Sequence, residues 1–406
     1  MSASVSDTMR IVRATPLIFG APFIGEAEIQ EVVDTLRSGW LGTGPRCARF
    51  EEDFKNYVGA KHAIAVNSCT AGLELTLEAA DVGPGDEVIT TPLTFCATAN
   101  VIVHRGAKPI FVDVERHTGN IDPDCIEKAI TPKTKAIIPV HLYGRPCKMD
   151  EILDIAHRHG LYVIEDAAHA TEALYQGRKI GNIGDATVFS FYVTKNMTTG
   201  EGGMVTTNRD SWAERVRVSR LHGLSKDAWK RYSADGFQPY DVQTAGYKFN
   251  MTDIQAALGI HQLARLEDNL RTRQRYWAMY EDAFHDLHEI VTPCPTSEDG
   301  SAGDRHARHL FTILVKPEVA GVSRSALVNA LRTLNICTGI HFLALHLSTY
   351  YRRTFGYQPG DFPNAEYIAD RTISLPLSVA ISEGDVQDVI SAVKIALRFK
   401  SSLATI

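Results

Sequence analysis

The sequence predicts an α/β fold, with a large domain built on a mixed, mainly parallel sheet and a smaller C-terminal α+β domain. Three observations carry this reading. Between residues 60 and 190, short apolar or β-branched runs alternate with segments of helical periodicity, the pattern of strands joined by helical crossovers. Thr70, Asp166 and Lys195 all follow such runs, at the strand ends where open sheets of this class place their ligands. Past about residue 262 the alternation gives way to a smaller pattern of isolated strands and helices. The large domain is therefore expected at 16–262 and the small one at 263–406.

Taken in order, residues 25–38 carry Ile29, Val32, Val33 and Leu36 at helical spacing and run into the glycine-rich loop SGWLGTGP. A second helix is expected at 46–58 and a strand at 62–66. The turn Asn67-Ser68-Cys69-Thr70-Ala71-Gly72 then leads into a helical pattern at 73–80. Strand, small-residue turn and helix start together aim N–H groups and a hydroxyl at an anion. The Gly-Lys-Ser/Thr ending of a Walker loop is absent, and an ordinary N-cap by Ser68 or Thr70 explains the turn equally well. Strands are expected at 87–90, 108–114, 135–140 and 161–166, and helices at 94–104 and 150–159. Phe95 opens the first of these helices beside a strand end, where its ring either lies on a flat ligand or joins the core. The apolar run 187–193 reads as a buried strand that delivers Lys195 at its end; a glycine turn at 200–203 and a strand at 204–207 follow.

Residues 212–219 are helical, and the polar, aromatic-rich stretch 222–240 is expected as a mobile substrate loop. Long helices cover 251–283, with Asp253, Gln255 and Arg265 on polar faces. The C-terminal unit is expected to hold a strand at 309–315, a helix at 323–334, a hairpin at 341–346 and a closing helix at 383–399.

Composition narrows the function. A length of 406 residues exceeds a single simple core, and the apolar and charged fractions are those of ordinary globular proteins. A net charge of −6 without any basic block argues against a nucleic-acid partner. The first residues lack the apolar core of a signal peptide and no run is long enough to span a bilayer, so a cytoplasmic protein without membrane insertion is expected. Seven cysteines without a CxxC pair indicate neither a disulfide framework nor a zinc site, and no metal is expected.

The chemistry sits in three groups. A lysine held in an apolar pocket loses part of its preference for the charged form, so its amine can attack a carbonyl and form a Schiff base. A helix N-terminus accepts a phosphate. A buried carboxylate can hold a proton on a ring nitrogen. Pyridoxal 5'-phosphate uses all three, through its aldehyde, its phosphate and its pyridine nitrogen. Each group alone has an everyday reading, as a solvated strand end, an N-cap and a capping Asp; it is their convergence that points to the cofactor.

Eight segments carry a resemblance: SGWLGTGP, NSCTAGLELTL, TPLTFCATAN, PVHLYG, IEDAAHA, FSFYVTKNMTTGEGGM, GYKFNMTDIQAALG and TGIHFLALH. With them the chain resembles the DegT/StrS family of sugar aminotransferases, of the fold-type I pyridoxal phosphate superfamily, over nearly its whole length. GYKFNMTDI, the HLF at His309 and HFLALHLSTYY are most similar to the branch that makes UDP-4-amino-4-deoxy-L-arabinose. The resemblance implies Lys195 as the Schiff-base lysine, Asp166 as partner of the pyridine nitrogen, His169 at the phenolic oxygen and Phe95 on the ring face. It implies Thr70, the Ala71 amide and Ser190 as phosphate ligands, with Asn250 reaching the same phosphate from the partner subunit of a homodimer with shared active sites. The resemblance implies that at least one of His341 and His346 faces the sugar nucleotide, although each also reads as a polar turn residue, and Lys248 is a further candidate on the substrate side. Cys69 stands where many members have glycine, which bears on how closely the backbone approaches the phosphate.

The implied reaction moves an amino group from glutamate to a keto-sugar nucleotide, a 4-keto sugar above all, in a ping-pong cycle with Lys195 as general base and acid. The amino sugar nucleotide would serve polysaccharide, lipid A or natural-product glycan synthesis. Two rival classes are a dehydratase or lyase on the same fold and a non-catalytic metabolite sensor. Some relatives carry His in place of the lysine and are dehydratases; retention of Lys195 argues for transamination, and retention of both Lys195 and Asp166 argues against a mere sensor.

Overall fold

The computed structural model describes residues 12–224, 241–295 and 303–398. From residue 225 on, the loop expected at 222–240 lies outside them. Among the described residues are twelve strands: β1 His62–Val66, β2 Glu87–Thr90, β3 Lys108–Phe111, β4 Thr134–Ile137, β5 Tyr162–Asp166, β6 Leu174–Tyr175, β7 Arg178–Lys179, β8 Ala186–Ser190, β9 Gly203–Thr207, β10 Ile290–Val291, β11 Phe311–Val315 and β12 Thr372–Leu375. Seven form the large sheet, in the order β1-β9-β8-β5-β4-β2-β3. Strand β9 runs antiparallel to both its neighbours, and every other pair in this sheet is parallel. The carboxyl ends of β1, β2, β5 and β8 therefore share one edge.

Both faces of the sheet are covered, which is why its strands read as apolar throughout rather than alternating. Period-2 geometry sends neighbours in β8 to opposite cores. Phe189 joins Phe50 and Phe54 of a helix at Pro45–Val58, while Val188 joins Leu73 and Leu77 of the helix Cys69–Ala79. The rings of Phe54 and Phe189 meet edge to face at 5.0 Å and are fully buried, each contributing about 1.5–3 kcal/mol by burial. The helix Cys69–Ala79 lies so close to the sheet that a Cβ on Gly72 would come within 2.5 Å of Val188 Cγ1.

A second core surrounds the antiparallel sheet β10-β11-β12. The helix Leu266–Phe284 links the two cores, with Leu266 buried in the first and Tyr276, Trp277 and Tyr280 in the second. Leu17 also packs in the second core and bridges to Ile336.

The structure differs from expectation at three places. Asp253 is not on a polar face: it is fully buried, and its carboxylate accepts the N–H groups of Gly44, Arg46 and Cys47 at 2.8–3.0 Å. It closes the exposed amides that begin the helix Pro45–Val58. Residues 341–346 form no hairpin, because their neighbourhood bonds elsewhere: Gly339 exchanges bonds with Ser374, and the Leu345 N–H donates to Pro92 O at 2.8 Å. The strand that precedes Lys195 stops at Ser190, and Lys195 lies in the turn beyond it, where its N–H donates to Tyr192 O at 2.9 Å.

Candidate active site

The shared strand edge assembles the site. Register alone sets three of its parts side by side, since Gly203 of β9 faces Val66 of β1 on one side and Ser190 of β8 on the other. A Cβ on Gly203 would lie 2.7 Å from Cys69 N, so the turn after β1 can rest there only on a glycine. Strand β5, the next neighbour of β8, ends at Asp166.

The two carboxylates that end β5 point opposite ways. Glu165 turns into a fully buried network: it accepts His141 Nε2–H at 2.9 Å, Thr187 Oγ1–H at 2.7 Å and Gly184 N–H at 2.8 Å. Asp166 accepts Thr98 Oγ1–H at 2.8 Å and Ala168 N–H at 3.1 Å. Burial pushes the Asp166 carboxyl up from its usual range, and the two hydrogen bonds and the Lys195 charge offset this only in part. Thr98 was not foreseen as a site residue. The available signal was its place one turn after Thr94, to which it bonds at 2.9 Å.

Lys195 is enclosed by protein although part of its surface still meets solvent. Desolvation pushes its ammonium down to about 8, against the opposing pull of Cys69 and Asp166. His169 is buried and held neutral by desolvation, reinforced by the nearby Lys195 charge. Its Nδ1 accepts the Tyr143 N–H at 3.2 Å, so Nε2 carries the proton as a donor. Tyr143 reaches this position with a left-handed φ of 59°, and the next residue, Gly144, has φ 101° and no room for a side chain beside His169 O. The Tyr143 hydroxyl donates to His341 O. None of this could be read from PVHLYG.

Phe95 is the N-cap residue of the helix Cys96–His104, and its ring is 60% exposed at the same edge, 6.2 Å from the Phe342 ring. Phe342 in turn stacks on His169 at 5.8 Å. At the start of the helix Cys69–Ala79, Ser68 is the N-cap, and its Oγ accepts the Ala71 N–H at 3.1 Å. The Ala71 amide, expected on the phosphate, is thus already engaged. The first-turn amides of Cys69 and Thr70 have no acceptor within the helix and are the ones left for an anion. Ser190 is buried at the end of β8 and accepts the Tyr192 N–H at 3.3 Å.

The remaining expected residues are dispersed. Asn250 bridges to Val66, and its Nδ2–H donates to Thr43 Oγ1 at 2.7 Å in its own chain. It does not cap the following helix, because Thr252 does so in a capping box with Gln255. Lys248 is exposed and bridges to Leu221. His341 bonds Ser374 Oγ at 2.8 Å, and burial pushes its imidazole down to about 4. His346 is fully buried: its Nε2 bonds Glu366 at 2.9 Å and its ring sits edge-on to Phe362. Its ring faces an aromatic cluster and not the cleft.

The residues present fit pyridoxal phosphate. They offer a desolvated amine, a buried carboxylate bound by only two neutral donors, an imidazole with a free N–H, an exposed ring and a helix start with open amides. Among the described residues no cluster of His, Cys, Asp or Glu could hold a metal, and no helix is long and apolar enough to cross a membrane.

Comparison with known proteins places the chain in a family. Residues 22–394 match the model of the DegT/DnrJ/EryC1/StrS aminotransferase family. An uncharacterized protein of Methanocaldococcus jannaschii is 53% identical over 92% of this chain and 95% of its own. The spore coat polysaccharide biosynthesis protein SpsC of Bacillus subtilis is 52% identical over 93% of this chain and 96% of its own. Among solved structures, the putative sugar aminotransferase Spr1654 of Streptococcus pneumoniae in its PMP form superposes with a TM-score of 0.87 at 34% identity, covering 96% of this chain and 100% of that one. It has also been solved in a PLP form. DesI in the presence of its TDP-sugar product gives a TM-score of 0.87 at 30% identity, over 99% of both chains.

Proposed function

Because the chain belongs to the DegT/DnrJ/EryC1/StrS aminotransferase family, we propose that it transfers the amino group of glutamate to the ketone carbon of a nucleotide-linked 4-keto sugar. It is a pyridoxal phosphate-dependent aminotransferase acting on sugars. The observation that carries the aminotransferase chemistry is the meeting of Lys195, Asp166 and the start of the helix Cys69–Ala79 on one strand edge. The relative named for spore coat polysaccharide biosynthesis and the neighbour solved with a TDP-sugar support an amino sugar nucleotide destined for a polysaccharide. Resemblance to the branch that makes UDP-4-amino-4-deoxy-L-arabinose supports the 4-keto position.

When bound, pyridoxal phosphate supplies an electron sink for proton removal beside an amine. Lys195 would hold the aldehyde through its amine, and its depressed ammonium leaves a larger free-amine fraction at neutral pH than an ordinary lysine has. Lys195 Nζ, free of the aldehyde, would take the proton from the amine-bearing carbon of the donor and, in the second half, return one to the sugar carbon. Asp166 would keep the ring nitrogen protonated through its charge, and His169 Nε2–H would donate to the phenolic oxygen. The amides of Cys69 and Thr70, with Ser190, would receive the phosphate, and the exposed Phe95 ring would cover one face. Asn250 of a second copy would complete the phosphate shell in a homodimer.

The test is a panel of UDP- and TDP-linked 3-keto and 4-keto sugars, each incubated with glutamate and the loaded protein. Formation of 2-oxoglutarate and of the amino sugar is followed by mass spectrometry. Turnover confined to 4-keto sugars is expected. Turnover only with 3-keto sugars, or with another amino donor, overturns the corresponding part.

A further inference from the structure

Behind the reactive lysine lies a polar network that the reaction scheme above does not use. The side chain of Asn196, the residue after Lys195, makes three hydrogen bonds. Its Nδ2 donates to Glu172 Oε2 at 2.7 Å and to Ala307 O at 3.1 Å, and its Oδ1 meets His309 Nδ1 at 2.8 Å. Glu172 is fully buried and pairs with Arg273, which is 2% exposed. Arg273 also donates to Arg308 O at 3.1 Å and to Ala307 O at 3.3 Å.

This geometry allows one arrangement of protons. Turning the amide over would set its oxygen against two acceptors, a carboxylate and a carbonyl, so the Nδ2 side is fixed. The amide oxygen then requires a donor from His309, which makes Nδ1 the protonated nitrogen and leaves Nε2 bare. Burial holds His309 neutral. Its ring lies 4.5 Å from that of His169, which Tyr143 fixes in the opposite tautomer.

We propose that Asn196 is a positioning residue with two jobs: it clamps the turn carrying Lys195 to the buried Glu172–Arg273 pair, and it fixes His309 as the Nδ1–H tautomer beside His169. The two neighbouring imidazoles thereby become a matched set, His169 with a donor Nε2–H and His309 with an acceptor Nε2. The proposal rests on Lys195 as the reactive amine and goes beyond the transamination reading, since it concerns how that amine is held.

Two readouts on the protein without cofactor test it, so they give an answer even if the sugar transamination reading fails. Long-range ¹H–¹⁵N spectra of ¹⁵N-histidine protein should show His309 protonated at Nδ1 and His169 at Nε2, unchanged between pH 6 and pH 8. Acetylation of Lys195 by acetic anhydride at pH 8, read by peptide mass spectrometry, reports the amine itself. In Asn196→Ala the His309 pattern should be lost and the Lys195 rate should change by about tenfold or more, in line with the sensitivity of reacting groups to small displacements. Asn196→Asp keeps an acceptor for His309 but loses both donors, so it should keep the tautomer and change only the lysine. Wild-type protein with His309 protonated at Nε2 overturns the proposal whatever the variants do. So does a folded variant, judged by circular dichroism, whose Lys195 rate stays within about twofold of wild type.

Discussion

Lys195 and Asp166 are perturbed by the same cause with opposite chemical results. Burial penalises charge on both, so the amine is pushed down to about 8 and the carboxyl is pushed up. The sign for the lysine is that below its folded value the amine is protonated and unreactive, and above it is free. Acetylation of Lys195 should therefore rise through a midpoint near 8, while an ordinary surface lysine titrates about two units higher. Lys195→Ala should leave the fold intact and abolish the borohydride-reducible link to pyridoxal phosphate, measured by peptide mass spectrometry. A reducible link persisting in that variant would point to another lysine. Asp166→Asn keeps the shape but removes the counter-charge for the ring nitrogen. Turnover should fall by about a hundredfold or more, as when a preorganised charge is lost, with a much smaller effect on cofactor affinity measured by fluorescence titration. Near-normal turnover would assign the task to a different acid.

At the scale of elements, most helices and strands were legible because their periods are those of buried crossovers and two-sided strands. The exceptions are positions where a distant segment supplies the bonds. Asp253 begins its helix as an acidic first-turn residue, which reads as a solvated face in sequence. In the fold it serves another helix, accepting three N–H groups some two hundred residues earlier in the chain. Asp253→Ala should therefore cost more than a surface cap, about 2–4 kcal/mol, because one buried and two part-buried amides lose their acceptor. Chemical denaturation measures this, and a loss under about 0.5 kcal/mol would mean that water replaces the carboxylate. His341 and His346 show the same limit. Adjacent in one motif, they part company in the fold, one bonded to Ser374 and the other sealed against Glu366 and Phe362.

At the scale of the whole molecule, one chain gives the phosphate no assigned cation, and its own Asn250 is engaged with Thr43. The segment from the N-terminal side to the loop after the first helix exposes Phe23, Ile24, Ile29, Leu36, Trp40 and Leu41, each at least 38% accessible. So many large apolar side chains on one short stretch fit a surface covered by a second copy. If sites are shared, inactive Lys195→Ala chains mixed with inactive Asn250→Ala chains should regain activity, since each heterodimer holds one site with both residues intact. About half of the sites in those heterodimers would be complete, the rest lacking both groups. No recovery after subunit exchange, verified by native mass spectrometry, counts against the shared site.

The sequence by itself determined the α/β class and the order of strands and helices in the sheet-forming half, and it singled out Lys195 and Asp166 as candidates. These depend on local period and on strand ends, and both are written in short runs of residues. Only the tertiary structure decided how those groups are held. It turned Asp166 and Glu165 opposite ways by strand alternation, gave Asp166 the Thr98 hydroxyl and His169 the Tyr143 N–H, and left the Ala71 amide on Ser68. It also joined Asn196 to Glu172, Arg273 and His309. Apart from the strand alternation and the local Ser68–Ala71 cap, these are contacts set by packing, which brings together residues whose separation along the chain carries no trace of them.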